Sequence, residues 1–192
     1  MQTDIINSFD NKSDVEKALL NDILGPLELK RDEKRYYLGE FMERVIKLLT
    51  KKQVLEPGIY PEIVESIKDT RSIKILINGD LDGHIIEKYQ NLAKQLGKRY
   101  TVIHDPEFKG DTGLIVVSNE AVEVGEITVE DREIKFAKLG IPVALVNYAG
   151  KKLCDECLDR VLSAAPEESI NYEKLTYWDR FWGEHCPSCA EK

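Results

Sequence analysis

The chain has 192 residues, of which 42% are hydrophobic and 32% charged, with a formal charge of -8. That composition is too apolar for a disordered segment, and the length allows one domain with a sizeable core plus an appendage. The acidic balance argues against strong non-specific DNA binding, which depends on neutralising phosphates, and the longest apolar runs, such as 114–117, are far too short to span a bilayer.

Residues 1–7 lack the basic and apolar regions of a secretory signal, so the expected compartment is the cytoplasm. Ser13-Asp14-Val15-Glu16 has the form of a capping box and predicts a short helix that ends before Gly25-Pro26. A longer helix is predicted over 32–50, where Tyr37, Leu38, Phe41, Val45, Leu48 and Leu49 recur at helical spacing. A further helix is expected over 60–68 with Pro61 in its first turn. Strands follow at 73–77, 100–103 and 114–117, with a helix over 85–96 closed by Gly97. One or two short strands are expected within 122–129, then a helix over 132–139; residues 142–149, bounded by Pro and Gly, fit a helix or a strand, and a helix is preferred. Strand, helix, strand in this order predicts a sheet with parallel neighbours covered by helices.

Residues 30–52 carry eight basic side chains against four acidic ones, leaving -12 on the rest of the chain. Lys34, Arg35, Arg44, Lys47 and Lys51 would share a basic helix there. Such a helix is either a docking surface for RNA or an acidic protein partner, or a solvated face with internal ion pairs.

The four cysteines of the chain form two pairs, Cys154-Asp155-Glu156-Cys157 and Cys186-Pro187-Ser188-Cys189, separated by 28 residues. Cytosolic cysteines stay reduced, and two CxxC turns complete a tetrahedral set of thiolates. The expected ligand is a structural zinc; an iron–sulfur cluster, redox catalysis by Cys154 and Cys157, and thiols that bind nothing are the alternatives. Lys151, Lys152, Arg180 and Lys192 stand near enough in sequence to offset the negative charge of such a site. Between the pairs, Leu175, Trp178 and Phe181 or Trp182 share one helical face, expected to form a small core beside the metal, the alternative being an exposed partner-binding patch.

Ile75-Leu76-Ile77-Asn78-Gly79-Asp80-Leu81-Asp82-Gly83 resembles the first motif of haloacid-dehalogenase-type phosphatases, where two aspartates after a buried strand hold magnesium. Against that, His84 stands where the motif has threonine, and Asp111 lacks a second carboxylate beside it. The competing reading is a strand-to-helix turn.

Gly25-Pro26, Asp32 to Gly39, Phe41, Glu43-Arg44-Val45, Thr50-Lys51-Lys52-Gln53-Val54, Tyr60-Pro61, Leu76 to Leu81 and Asp105-Pro106-Glu107 together resemble the YueI-like family of uncharacterised Gram-positive bacterial proteins. The resemblance covers 13–139 and implies a fold similar to that of kink-turn-binding ribosomal proteins. That fold is a three-layer α/β/α sandwich with a small mixed, partly parallel sheet, to which this chain adds N-terminal helices and a C-terminal four-cysteine zinc-binding helical tail. Gly58-Ile59-Tyr60-Pro61 occupies the place of the RNA-gripping turn without its residue types, so those contacts do not carry over.

The expected organisation is a sandwich over 1–150 and a metal-binding tail over 151–192. Two functional classes follow: a non-enzymatic adaptor or ribonucleoprotein-type module with a structural zinc, or a phosphohydrolase-like or small-molecule-binding enzyme with its site around Asp80, Asp82 and Asp111.

Overall fold

A computed structural model describes residues 31–108 and 110–190. Residues 33–192 form one compact unit. The helix expected after Ser13 lies outside the described residues.

Four strands form a mixed sheet: β1 (Val45–Thr50), β2 (Ser72–Asn78), β3 (Arg99–Ile103) and β4 (Thr112–Ser118), in the order β1-β4-β2-β3. β2 and β3 run parallel, as the strand–helix–strand order predicts, while β4 is antiparallel to both of its neighbours. All seven positions of β4 are buried. A strand covered on both faces tolerates the unbroken apolar run Leu114-Ile115-Val116-Val117, which alternation with polar residues would spoil.

The single helix expected over 32–50 does not form. Its place is taken by α1 (Arg31–Tyr36), a 3-10 turn (Met42–Arg44) and β1. Leu38 and Gly39 take positive φ angles of 49° and 88°, which no continuing helix permits. Leu38 bears that conformation, a cost of about 1–2 kcal/mol, because its side chain is buried at 1% exposure. Further on, Val45 pairs with Val117 and Leu48 with Ile115. The register shift between Val45 and Lys47 lets Val45 and Leu48 face one core and Ile46 and Leu49 the other. The same four positions satisfy helical spacing, so pairing with a distant strand decides the outcome.

Thr50 opens α2 (Lys51–Leu55): its hydroxyl accepts from Gln53 N at 3.2 Å, and Gln53 Oε1 accepts from Thr50 N at 3.0 Å. α3 (Pro61–Lys68) and α4 (Gly83–Gln95) form where helices are expected. Ile63, Ile67, Ile85, Tyr89 and Ala93 pack from them onto Ile75, Ile77, Leu114 and Val116 of the sheet. Gly97 closes the second of these helices at φ 67°. The opposite face, bearing Leu76, Ile115 and Val117, meets Tyr37, Leu38, Phe108 and Ile127 among the described residues. Residues 122–129 add no strand; Leu48 N donates to Ile127 O at 2.7 Å in a single bridge that covers the β1 edge.

The remaining elements are short. α5 (Arg132–Lys138) leads to a 3-10 turn (Val143–Tyr148), tighter than the helix expected there, and then to β5 (Lys152–Leu153) and α6 (Asp155–Ala164). A 3-10 turn (Pro166–Ile170), β6 (Glu173–Lys174), α7 (Tyr177–Phe181) and α8 (Pro187–Ala190) complete the described chain. Their apolar side chains, among them Phe136, Leu145, Leu153, Val161, Tyr172 and Leu175, form a separate core that contains Cys157 and Cys186. Among the described residues no helix is long and apolar enough to cross a membrane.

Candidate metal centre

Each CxxC sits at the first turn of a helix. Cys154 is the N-cap of α6 and Cys157 lies in its opening turn, while Cys186 immediately precedes Pro187 at the start of α8. A helical first turn curls residues three apart onto one side, so each pair presents two sulfurs together. Leu175 N donates to Leu153 O at 2.8 Å, and the parallel pairing of β5 with β6 brings the chain back beside Cys154.

The four sulfurs lie within 4.8 Å of one another, and the group is able to hold a metal ion. Cys189 Sγ is 3.6 Å from Cys154 Sγ and 3.7 Å from Cys157 Sγ. Disulfide sulfurs stand at about 2.05 Å, and all four cysteines are free. Sulfurs at the corners of a tetrahedron around one zinc, each about 2.3 Å from it, would be separated by about 3.8 Å. The spacing is therefore that of ligands around a single ion.

The thiols compete for charge as such a set must. Burial opposes ionisation of Cys186, but backbone N–H groups at Cys154 and Cys189 and the facing thiols outweigh it and bring it down to about 7. The thiols of Cys154, Cys157 and Cys186 push Cys189 up to about 12, and burial raises Cys157. Four adjacent sulfurs ionise together only around a cation. A thioredoxin-like pair at α6 would not require the second pair, which stands here within 4.8 Å of the first.

The aromatic segment departs from expectation. Leu175 is buried, but Tyr177, Trp178, Phe181 and Trp182 are 67–80% exposed. The core beside the cysteines is filled instead by side chains from 136–149, upstream of the segment from which it was expected.

Sequence reasoning also missed Arg132. Fully buried, it donates to Glu56 Oε2 at 3.1 Å, Glu168 Oε1 at 3.2 Å and Ile59 O at 2.9 Å, and lies 4.3 Å over the Tyr60 ring. Tyr60 Oη donates to Glu56 Oε1, while Asn171 exchanges two hydrogen bonds with the backbone of Ile59, each 2.8 Å. This network ties the loop before α3 to the cysteine-bearing region. It also explains Gly58, where a Cβ would stand 2.6 Å from Arg132 Nη1 and 2.8 Å from Ala149 Cβ. Lys88 lies at its edge, donating to Val54 O and Glu56 O, and desolvation lowers its ammonium to about 8. No residue type in the sequence announces a buried arginine; only Gly58 hints at a close approach.

The other candidate residues are dispersed. Asp80, Asp82 and Asp111 are all exposed. Asp80 Oδ2 is 3.8 Å from Lys51 Nζ, and only the cysteines gather as a metal-type group among the described residues. Gly79-Asp80-Leu81-Asp82 is a turn: Asp80 N donates to Asn78 Oδ1, Asn78 Nδ2 donates to Thr112 O, and a Cβ on Gly79 would lie 2.2 Å from His104 Nδ1. The five basic residues do not share one helix: Lys34 and Arg35 lie in α1, and the other three in later elements. Lys34 lies over the Phe41 ring, Arg35 pairs with Glu107 at 2.9 Å, and Arg44 stands 4.0 Å from Glu40. Lys47, on β1, donates to Glu126 O at 2.7 Å, and Lys51 opens α2.

Residues 12–128 match the profile of a family described as Protein of unknown function (DUF1694). Over 107 residues the chain is 34% identical to the Uncharacterized protein YueI of Bacillus subtilis (strain 168), a match covering 56% of this chain and 81% of that protein. The crystal structure of the YueI protein from Bacillus subtilis aligns with a TM-score of 0.51 at 31% identity, covering 62% of this chain and 94% of that one. The cysteines lie beyond the stretch that the family profile matches.

Proposed function

This chain belongs to the family described as Protein of unknown function (DUF1694), and on that premise we infer that it is a non-enzymatic interaction module for a protein partner, with a structural zinc holding its C-terminal region. The spacing of the four sulfurs carries the reading: 3.6 and 3.7 Å within a group no wider than 4.8 Å suits one tetrahedral ion. An iron–sulfur cluster would place iron and sulfide atoms between the thiolates and spread them further. Four protein ligands leave no open position for a substrate or a catalytic water, so the metal's free energy goes into folding. We take the folding unit it supports to start near Arg132, since Phe136, Ile141, Leu145, Val146 and Ala149 supply five of the twelve buried residues of its core.

Protein purified under reducing conditions should contain one zinc per chain by elemental analysis, with Zn–S distances of about 2.3 Å by X-ray absorption. A protein devoid of metal sinks the reading. Iron with visible absorption replaces zinc by iron.

A further inference from the structure

Four aromatic side chains stand out from the surface of the C-terminal region. Tyr177 is 77% exposed, Trp178 67%, Phe181 67% and Trp182 80%. They form a continuous edge-to-face ladder with centroid separations of 6.0, 6.2 and 5.9 Å. Together they expose about 400–700 Å² of aromatic surface, which reaches or exceeds the largest apolar patch of a typical monomer.

The ladder is held from both ends. Thr176 Oγ1 accepts from Asp179 N, and Asp179 accepts in turn from Thr176 N at 2.7 Å, closing a capping box at the start of α7. Lys152 pairs with the same Asp179. Before the helix Leu175 is buried in the core, and after it Cys186 is a member of the sulfur cluster. Rings fixed in this way lose little freedom when something docks on them. Beside them lies a cleft of about 430 Å³, with Leu175, Arg180, Glu184 and His185 on its walls together with Cys154, Cys186 and Cys189.

Charge decides what fits. Over residues 151–190 eight acidic side chains face five basic ones, and the whole chain carries -8. A zinc bound by four thiolates adds two further negative charges. This field repels phosphate, which disfavours nucleic acid and an anionic membrane. It also repels a second copy, and the ladder falls short of the roughly 800 Å² per partner of a stable dimer. Cations are attracted twice, by the field and by the negative faces of the rings. Alternate side chains of an extended peptide are about 6.6 Å apart, close to the spacing of the ladder. Glu184 lies beside the cleft, 55% exposed and only 3.8 Å from Lys152, whose closer partner is Asp179.

We propose that α7 is the docking platform for a short, extended, arginine- or lysine-bearing segment of a partner protein. The rings receive alternate basic side chains, and the cleft takes one more against Glu184. The proposal rests on the reading of the C-terminal region as a zinc-held interaction module.

The test is fluorescence anisotropy of a labelled alternating Arg-Ser peptide titrated with the full-length protein, with zinc content measured on each sample. Saturable binding is expected, with no binding of the matching Gln-Ser peptide. Trp178→Ala/Trp182→Ala should weaken it at least about tenfold, and Glu184→Gln several-fold, with circular dichroism and zinc content unchanged. The double variant keeps the net charge, so equal binding by it overturns the proposal, as does no binding by zinc-loaded protein. Ring-dependent binding of a dT oligonucleotide or of phosphatidylglycerol vesicles in place of the peptide overturns it in favour of those partners. Ring-dependent self-association in sedimentation assigns the patch to a second copy. Ring-dependent peptide binding by protein that contains no metal supports the docking surface and removes the zinc reading alone.

Discussion

The sheet region and the cysteine region solve the same problem by different means. In the sheet region, seven-residue strands and helices of up to 13 residues bury aliphatic side chains from both faces. The cysteine region has two-residue strands and helices of 4–10 residues, and its one core includes two of the cysteines. Elements that short cannot offset their own ordering entropy by apolar burial. The proposed metal and a buried ionic network would supply the remainder, and both are all-or-none. The contrast teaches that the sheet region should lose stability by increments, and the cysteine region at a single blow.

The sharpest test of that contrast is Cys186→Ser/Cys189→Ser. Half of the ligand set is gone, and structural zinc sites contribute about 10–16 kcal/mol of apparent binding free energy to folding. Hydrogen exchange should show loss of protection at Leu153, Tyr172 and Leu175, with protection at Leu76, Ile115 and Val116 retained. Tryptophan emission will not report the change, because both tryptophans are already exposed in the folded protein. Simultaneous loss in the sheet would merge the two regions into one folding unit.

An intermediate effect is expected from Arg132→Met, which probes the seam. Glu168, 1% exposed, and Glu56, 11% exposed, would be left without their buried counter-charge. Removing one partner of a buried ion pair costs about 3–5 kcal/mol. The loss should appear in urea denaturation, and adding Glu168→Gln should restore part of it. A change below about 1 kcal/mol would mean that the network is solvated and does not join the regions.

Much of this architecture is legible in the chain. β2 and α4 are bounded by turn residues and by Gly97, and their apolar patterns admit one interpretation. The CxxC pairs point to a shared ligand set, and the fold brings their four sulfurs within 4.8 Å of one another. β1 is not legible, since Val45, Ile46, Leu48 and Leu49 fit a helix as well as a bulged strand. Its conformation is set by β4, whose residues lie more than 60 positions away. The exposed ladder misleads for a related reason: tryptophan is usually buried, and the residues that fill the core in its stead, such as Phe136 and Leu145, come from a segment that reads as part of the sandwich. Asn78-Gly79-Asp80 looks like a functional signature, yet its hydrogen bonds close a turn.

The smallest expected effect belongs to Asp80→Asn, at the surface of the sheet region. Asp80 has 63% of its side chain exposed and faces Lys51 at 3.8 Å across solvent. Such a pair contributes about 0–1 kcal/mol and is screened by salt. Asparagine keeps the backbone N–H that donates to Asn78 Oδ1, so the turn loses nothing else. Stability by urea denaturation should fall by less than about 0.5 kcal/mol, and any residual difference should vanish in high salt. If the aspartates instead formed a magnesium site, the wild type would hydrolyse a generic phosphomonoester in a magnesium-dependent manner and the variant would not. Removing one of several clustered carboxylates would in that case raise stability in magnesium-free buffer, where the stability comparison is made, by relieving repulsion between like charges. The two readings therefore differ in the sign of the stability change as well as in activity, and a small loss with no hydrolysis leaves the turn as the account of this segment.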